Sequence, residues 1–198
     1  METTDNKRGA SRRRQVVEAA LRCFEENGFH KTSMAEISEA AGMSVGHIYH
    51  YFPGKEALIA AIVELHVDQA FEHMNEAARQ KGTLYDVLLV RVCEHLDKAK
   101  RIKDRAAYFE VLAECERNPK IRDIIHKADV RMMERQRELF RELEPTAAQL
   151  SDAEIDARLE TFNALLLGLI RRDLTDDGAC DELLRQTVER VLLYLIKG

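Results

Sequence analysis

The chain has 198 residues, 45% of them hydrophobic, and a formal net charge of −5, so it can bury a sizeable core but lacks the overall basic charge of many DNA-binding proteins. The longest strongly apolar run, residues 164–170, is far too short to span a membrane, and no apolar signal segment opens the chain, so we expect a cytoplasmic protein. The four cysteines, Cys23, Cys93, Cys115 and Cys180, are too widely spread for a zinc or thioredoxin-like pair, which favours reduced, mostly buried thiols.

The negative charge lies outside the first part of the chain. Residues 1–60 contain eight Lys or Arg and eight Asp or Glu, whereas the remainder contains 22 and 27. The first segment is therefore neutral, and its uneven layout leaves room for a local positive face.

Residues typical of helix starts and ends recur along the whole sequence. Prolines occur only at Pro53, Pro119 and Pro145, and no stretch shows sustained alternation of β-branched or aromatic residues. An all-α chain is expected.

The first predicted helix runs from Ser11 to Asn27. Its apolar stripe contains Val16 or Val17, Ala20, Leu21 and Phe24, and Gly28 follows its end. Before it lies a polar segment with a cluster of basic residues: Lys7, Arg8, Arg12, Arg13 and Arg14. Such a segment is typical of basic arms that reach the DNA backbone or minor groove, and equally typical of a solvated, disordered tail.

A capping box predicts that a second, short helix begins after Ser33. In Ser33-Met34-Ala35-Glu36, the serine and the glutamate can satisfy each other's backbone amides. Ile37 and Ala41 then repeat on one face, and Gly42 can adopt the left-handed conformation that ends a helix.

Ser44 can cap a third helix after this sharp turn. Ile48 and either Tyr51 or Phe52 face inward. Two helices joined by a glycine turn match the helix-turn-helix layout, in which the second helix enters the major groove of DNA. The alternative is an ordinary helical hairpin with a polar outer face. The outward residues are Val45, Gly46, His47, Tyr49 and His50.

The chemistry of the outward residues suits DNA. Val45 can touch a thymine methyl, Gly46 allows a close backbone approach, and His47 can donate to a base edge. We expect Tyr49, His50 and Lys55 to hold phosphates instead. The full predicted DNA-binding set is Thr32, Ser33, Ser44, Val45, Gly46, His47, Tyr49, His50 and Lys55.

Residues from about Arg12 to Glu64 resemble the DNA-binding head of the TetR/AcrR family of transcriptional regulators. The resemblance rests on three segments: AALRCFEENGFHKTSM, AEISEAAGMSVGHIYHYF, and KEAL opening a long helix. One departure is Gly54, where many members carry a polar cap. The resemblance implies a homodimeric repressor, released from a palindromic operator by a small-molecule effector. His47 and His50 vary within the family, so the operator sequence stays open.

Six further helices are predicted beyond the head, giving nine in all, as in the family. Their predicted bounds are Lys55–Lys81, Thr83–Lys100, Asp104–Asn118, Pro119–Glu142, Ser151–Arg172 and Cys180–Lys197. We therefore expect a DNA-binding domain over residues 1–54 and an effector-binding and dimerisation domain over residues 55–198.

The last two helices carry apolar stripes wider than one neighbour needs, so part of that surface is predicted to face a second subunit. A two-fold four-helix bundle would place two recognition helices about 34–36 Å apart, one turn of DNA. The alternative is a buried hairpin within one chain. The predicted interface contains Ile155, Leu159, Phe162, Leu166, Leu169, Leu184, Val188, Val191 and Leu195.

The middle helices are where the family binds effectors. A mixture of adaptable apolar groups and a few acids suits a modest organic ligand. The alternative is that the apolar members are core and that Glu110 and Glu114 line a solvated face. The candidates are His66, Met74, Leu89, Cys93, Phe109, Glu110, Glu114, Met132 and Met133.

Enzymatic and metal-binding functions are not expected. The pairs His47 with His50 and Asp123 with His126 have suitable spacings for a metal, but neither has a second cluster to complete a site. No phosphate-cradling glycine loop and no nucleophile elbow occurs, and no cofactor is predicted. The alternative function is a helical ligand-binding or adaptor protein without sequence-specific DNA binding.

Overall fold

The structure is a computed structural model that describes residues 4–96, 105–175 and 182–198. Within these ranges it contains nine α-helices, one 3-10 turn and no strand, which confirms the all-α prediction. The helices are α1 (Thr4–Asn27), α2 (Met34–Ala41), α3 (Val45–Tyr51), α4 (Lys55–Lys81), α5 (Leu84–Leu96), α6 (Arg105–Glu114), α7 (Pro119–Leu143), α8 (Asp152–Thr175) and α9 (Glu182–Lys197), with the 3-10 turn at Pro145–Gln149.

The largest departure from the predicted bounds is at the start of α1. This helix begins at Thr4 rather than Ser11, so the basic segment forms its first turns and is neither an extended arm nor a disordered tail. Lys and Arg are good helix formers and the segment contains no proline, so nothing in it stops the helix. Arg8 and Arg12 are therefore held on a helix, with exposed side chains.

Helix α6 ends at Glu114, four residues earlier than predicted. The amides of Arg117 and Asn118 both donate to the Glu114 carbonyl at 2.9 Å, which closes a turn before α7. The side chain of Asn118 then accepts the Lys120 amide at 3.1 Å, and Pro119 begins α7 as predicted. The predicted ends at Lys100 and Cys180 lie outside the described residues.

The chain divides into two compact units. The first unit contains residues 1–66 and 104–128, and the second contains residues 67–103 and 129–198. The first unit thus extends beyond the predicted boundary after Gly54, because the start of α4, helix α6 and the start of α7 share its core. Whether DNA binding and effector binding divide after residue 54 stays a prediction.

The core of the first unit surrounds the second and third helices. Ile37 of α2 and Ile48 of α3 are fully buried against the apolar face of α1, where Val16 and Val17 are both buried. Phe52 is buried, whereas Tyr51 is half-buried, so Phe52 is the main aromatic anchor of α3.

The second unit is held by apolar packing of α5, α8 and α9 and by polar contacts between α7 and α8. The Arg137 guanidinium donates to both carboxylate oxygens of Asp156, at 2.8 and 2.9 Å. Gln136, which is buried, exchanges two hydrogen bonds with Asn163 at 2.9 and 3.0 Å. Because a buried amide is costly unless it is paired, these contacts favour a single register of α7 on α8.

Most of the residues predicted to form a dimer interface pack inside the subunit in this structure. Helix α5 covers the apolar stripe of α8 and α9, and its Leu84, Leu88 and Val92 share one core with them. Of the two remaining residues, Leu184 is half-buried and Val191 is 37% exposed. A dimer surface on these helices must therefore use mainly other residues. The buried residues are Ile155, Leu159, Phe162, Leu166, Leu169, Val188 and Leu195.

Candidate DNA-binding site

The two helices of the candidate site have the predicted caps. The Ser33 hydroxyl accepts the Glu36 amide at 3.2 Å, and the Ser33 amide donates to the Glu36 carboxylate at 2.6 Å. These hydrogen bonds lower the pKa of the Glu36 carboxyl, the bond from the Ser33 amide most strongly. At the other end of α2, Gly42 is left-handed with φ 63°, and its amide donates to the Glu39 carbonyl at 3.0 Å. A short, well-defined helix follows from these caps.

Helix α3 presents a polar face to solvent above a buried anchor. The Ser44 hydroxyl accepts the His47 amide at 3.3 Å and caps the helix, while Ile48 is fully buried. All five predicted outward residues are exposed: Val45, Gly46, His47, Tyr49 and His50. The ring of His47 lies 5.3 Å from that of Tyr51, between centroids, which restrains the imidazole on the helix surface.

Side chains of helix α1 contact the ends of the other two helices. The Gln15 amide donates to the Ala41 carbonyl, at the end of α2, at 2.8 Å. The Arg13 guanidinium lies 4.5 Å from the centroid of the Phe52 ring, at the end of α3. The contacts join residues 26 and 39 positions apart, so no local pattern could have predicted them.

The structure places Thr32 in a different role from the predicted one. Its side chain is buried, with 1% exposure, and its hydroxyl lies within hydrogen-bonding distance of the carbonyls of Cys23 (3.0 Å) and Gly28 (2.8 Å). A buried hydroxyl that donates to the backbone is not available to a phosphate. Thr32 is therefore not among the proposed DNA contacts. Ser33 and Ser44 are exposed.

Lys55 lies at the start of α4 and reaches back to the loop between α1 and α2. Its ammonium donates to the carbonyls of Phe29 at 2.7 Å and His30 at 3.3 Å, and it lies 4.5 Å from the centroid of the Phe29 ring. An ammonium has three N–H donors, so one remains for another acceptor. The sequence predicts Lys55 as a phosphate contact, and its link to this loop is visible only in the structure.

The residues predicted to bind an effector are distributed over both units. In the first unit, His66 and Phe109 are half-buried, while Glu110 and Glu114 contact the loop between α1 and α2. In the second unit, Met74 and Met132 belong to one apolar cluster, Leu89 and Met133 pack on another, and Cys93 is half-buried.

An open groove lies on the second unit and contains none of the predicted effector residues. Its volume is about 480 Å³, and it lies between the late turns of α4 and of α7. The Arg135 guanidinium crosses it and donates to the Asn75 side-chain carbonyl at 3.1 Å. The lining residues are Asn75, Ala78, Arg79, Arg135, Leu139, Glu142 and Leu143.

Over residues 4–96, 105–175 and 182–198, no group of three His, Cys, Asp or Glu side chains has an arrangement that could hold a metal ion. No helix in those ranges has the length and apolar character needed to cross a membrane. Cys23 is buried, and burial raises the pKa of its thiol, whereas Cys93 and Cys115 are half-buried.

Comparisons with known proteins agree with this geometry. The family model described as "Bacterial regulatory proteins, tetR family" matches residues 16–62, and "BetI-type transcriptional repressor, C-terminal" matches residues 89–197. The transcriptional regulator UidR of Escherichia coli K12 is 30% identical over 169 residues, which cover 85% of this chain and 83% of UidR.

Two solved structures extend the comparison to the fold. GusR of Salmonella enterica has a TM-score of 0.79 at 28% identity, over 95% of this chain and 96% of GusR. A transcriptional regulator from Saccharomonospora viridis, solved in complex with choline, has a TM-score of 0.68 at 23% identity, over 95% of this chain and 96% of its own. The second likeness concerns the fold alone.

Proposed function

Because the chain belongs to the TetR family of helix-turn-helix transcriptional regulators, we propose that it is a homodimeric repressor that binds a palindromic operator and releases it when a small molecule binds its helical body. The observation that carries the DNA-binding part is the exposed face of α3 on a buried anchor. A recognition helix needs such a face, because only outward side chains can enter the major groove.

We assign different roles to the exposed side chains of the site. Val45, Gly46 and His47 lie at the N-terminal end of α3, the end that enters the major groove in helix-turn-helix proteins, and are proposed to face base edges. Tyr49, His50 and Lys55 are proposed to hold phosphates, with the hydroxyls of Ser33 and Ser44 beside them. The first set carries sequence preference, and the second carries affinity.

The dimer is proposed to form through the outer faces of α8 and α9. These faces retain large exposed apolar side chains after α5 has covered the inner stripe: Leu167, Leu183, Val191, Leu193 and Tyr194. Tyr194 is 71% exposed and Leu183 is 67% exposed in the single chain. Ala164 and Gly168 flank Leu167 on α8, and such small residues allow two helices to approach closely. A two-fold axis through this surface would pair α8 and α9 with their copies in a four-helix bundle.

A small-molecule effector is proposed for the helical body. The Saccharomonospora viridis regulator, which shares the fold, was solved with choline, but the identity of the effector of this chain stays open. Glu110 and Glu114 already contact a loop of the first unit, so the remaining candidates are mainly apolar. Release requires that the effector bind the DNA-incompetent state more tightly than the competent one. Because such a regulator acts on chromosomal DNA, we also propose that this protein acts in the cytoplasm.

The test is selection of bound fragments from the native genome, followed by binding measurements on the enriched site. We expect a palindrome with half-site centres about 34–36 Å apart. As a control, the variant carrying both Val45→Ala and His47→Ala should lose the enrichment and keep its fold. If the wild-type protein enriches no sequence, it is instead a helical ligand-binding or adaptor protein without sequence-specific DNA binding.

A further inference from the structure

We infer that Glu110 and Glu114, two carboxylates one turn apart on α6, are positioning residues for DNA binding: they hold the loop from which α2 begins, without touching DNA. The inference rests on the proposed operator binding and adds residues distant from the recognition helix. All the groups involved lie in the first unit. The loop contains residues 28–33 and joins α1 to α2.

The two carboxylates bind two consecutive residues of this loop, one residue each. The carboxylate of Glu110 accepts the backbone amide of Phe29. The carboxylate of Glu114 lies 2.7 Å from Nε2 of His30, with 8% of its side chain exposed, whereas the His30 side chain is 66% exposed. A buried carboxylate is costly unless it is hydrogen-bonded, so the contact with His30 also stabilises Glu114 where it is.

Gly28 makes room for the Glu110 carboxylate. Its φ is +79°, a left-handed conformation that residues with side chains rarely adopt. A Cβ at this position would lie 2.6 Å from Oε1 of Glu110, well inside van der Waals contact. The left-handed backbone and the close approach of the carboxylate therefore both favour glycine at this position.

The same segment is also bound by Lys55 and by the core. The Lys55 ammonium donates to the carbonyls of Phe29 and His30, and the Phe29 ring packs against Phe24 with centroids 5.5 Å apart. The two loop residues are thus bound through an amide, two carbonyls and an imidazole. The chain then passes through buried Thr32 into Ser33, the cap of α2. Fixing this segment fixes where α2 starts.

Electrostatics alone and a positioning role predict opposite changes in operator affinity when a carboxylate is removed. Glu110 and Glu114 carry negative charge, so removing either should strengthen attraction to the DNA polyanion if charge alone mattered. If the carboxylates position the loop, removing them should weaken operator binding. The sign of the change therefore separates the two explanations.

The experiment compares alanine and glutamine at each position, using the operator that the wild-type protein selects. Glutamine removes the charge but keeps a carbonyl oxygen that can accept the same hydrogen bond. At each position, the alanine and glutamine variants therefore have the same charge and differ in the hydrogen bond. We expect Glu110→Ala and Glu114→Ala to weaken operator binding about five- to tenfold, the effect expected for loss of one ordinary hydrogen bond. Glu110→Gln and Glu114→Gln should stay within about twofold of wild type.

Glu116, an exposed carboxylate just after α6, supplies the matched control. Glu116→Ala and Glu116→Gln should bind the operator as tightly as wild type or slightly more tightly. The slope of affinity against salt should be unchanged in the alanine variants of α6, because no phosphate contact is lost. The Phe29 amide should exchange with solvent at least about tenfold faster in Glu110→Ala, since its acceptor is gone.

Substitution of His30, the partner of Glu114, provides a second test of the positioning role. His30→Ala removes the exposed partner of Glu114 and is expected to leave the fold intact. The variant that carries both His30→Ala and Glu114→Ala should bind the operator no more weakly than the weaker of the two single variants. The reason is that the two substitutions delete the same contact.

Alanine variants of α6 that bind as tightly as wild type, with unchanged Phe29 exchange, would overturn the positioning role while leaving operator binding in place. Failure of the wild-type protein to select any DNA would overturn the proposed function instead. Phe29 exchange would then still report whether Glu110 holds the loop.

Discussion

The ammonium of Lys55 lies 2.7 Å from the carbonyl oxygen of Phe29, so the first residue of α4 is bonded to the loop that precedes α2. A residue that resembles a simple phosphate contact in the sequence thus also ties two segments of the head together. The proposed phosphate contact and the observed loop contact differ in one measurable respect. A phosphate contact releases counterions on binding, whereas an internal hydrogen bond does not.

Replacing Lys55 should therefore change both affinity and salt dependence. We expect Lys55→Ala to weaken binding to all DNA sequences and to lower the magnitude of the salt slope by about one unit, because one phosphate contact is lost. Fluorescence anisotropy over a range of salt concentrations measures both. The control is Lys120→Ala, an exposed lysine in the first turn of α7. If affinity falls at an unchanged slope, Lys55 acts only through the loop.

The outward residues of α3 should divide into sequence-reading and phosphate-binding positions. His47→Ala should change the motif returned by selection from randomised DNA, because a base-edge contact is removed. Tyr49→Phe, which deletes only a hydroxyl, should weaken binding to all sequences and leave the motif unchanged. Recovery of the wild-type motif with His47→Ala would show that His47 does not read bases.

The Ser33 capping box should contribute to the stability of the first unit. Ser33→Ala is expected to lower the free energy of unfolding by about 1 kcal/mol, the usual cost of losing an N-cap. Ser151→Ala is the matched control: Ser151 and Glu154 form the same reciprocal pair at the start of α8, in the second unit. Urea unfolding should detect both losses. Only Ser33→Ala should also weaken operator binding.

The contribution of Glu36 should depend on pH. The pKa of its carboxyl is lowered in the folded state, so its stabilising effect is present above the ordinary value of 4.5 and is lost as the pH falls through the lowered folded value. The difference in unfolding free energy between wild type and Glu36→Ala should therefore shrink in acid, because this substitution removes the carboxylate that the Ser33 amide binds. An equal difference at neutral and strongly acidic pH would contradict this coupling.

Local patterns predicted the helices and the caps well. The capping residues Ser33 and Ser44 act through neighbours three positions away, so their role is written in short sequence spacings. The same holds for Gly42 at the end of α2 and for Pro119 at the start of α7. The inward and outward faces of α3 also follow from helical periodicity alone.

Contacts between distant segments could not be predicted from the sequence. Glu110 binds the amide of a residue 81 positions earlier, and nothing near either residue signals this pairing. An apolar stripe does not identify its partner: the sequence predicts that part of the stripes of α8 and α9 faces a second subunit, but α5 covers most of the residues predicted for that interface. Thr32 is polar and lies beside a helix cap, and only the fold reveals that its hydroxyl is buried.

The exposed apolar face of α9 makes the dimer proposal testable. Tyr194→Asp places a charge at a position that is 71% exposed in one chain and proposed to be buried in the dimer. We expect sedimentation at micromolar concentration to show monomers, because an unpaired buried charge is strongly unfavourable. Gln149→Asp makes the same change of charge at an exposed position outside α8 and α9 and should leave the dimer intact. A dimeric Tyr194→Asp would place the interface elsewhere.

The helical start of α1 should add a rigid basic contact to the operator. Arg8 and Arg12 are exposed and one turn apart on a continuous helix, which Gln15 ties to the end of α2 at 2.8 Å. If both guanidinium groups meet phosphates, Arg8→Ala and Arg12→Ala should each lower the magnitude of the salt slope by about one unit without altering the selected motif. Arg14→Ala is the control, because Arg14 forms an ion pair with Glu18 at 2.9 Å. An altered motif in either variant would instead indicate minor-groove reading, since phosphate contacts carry no sequence information.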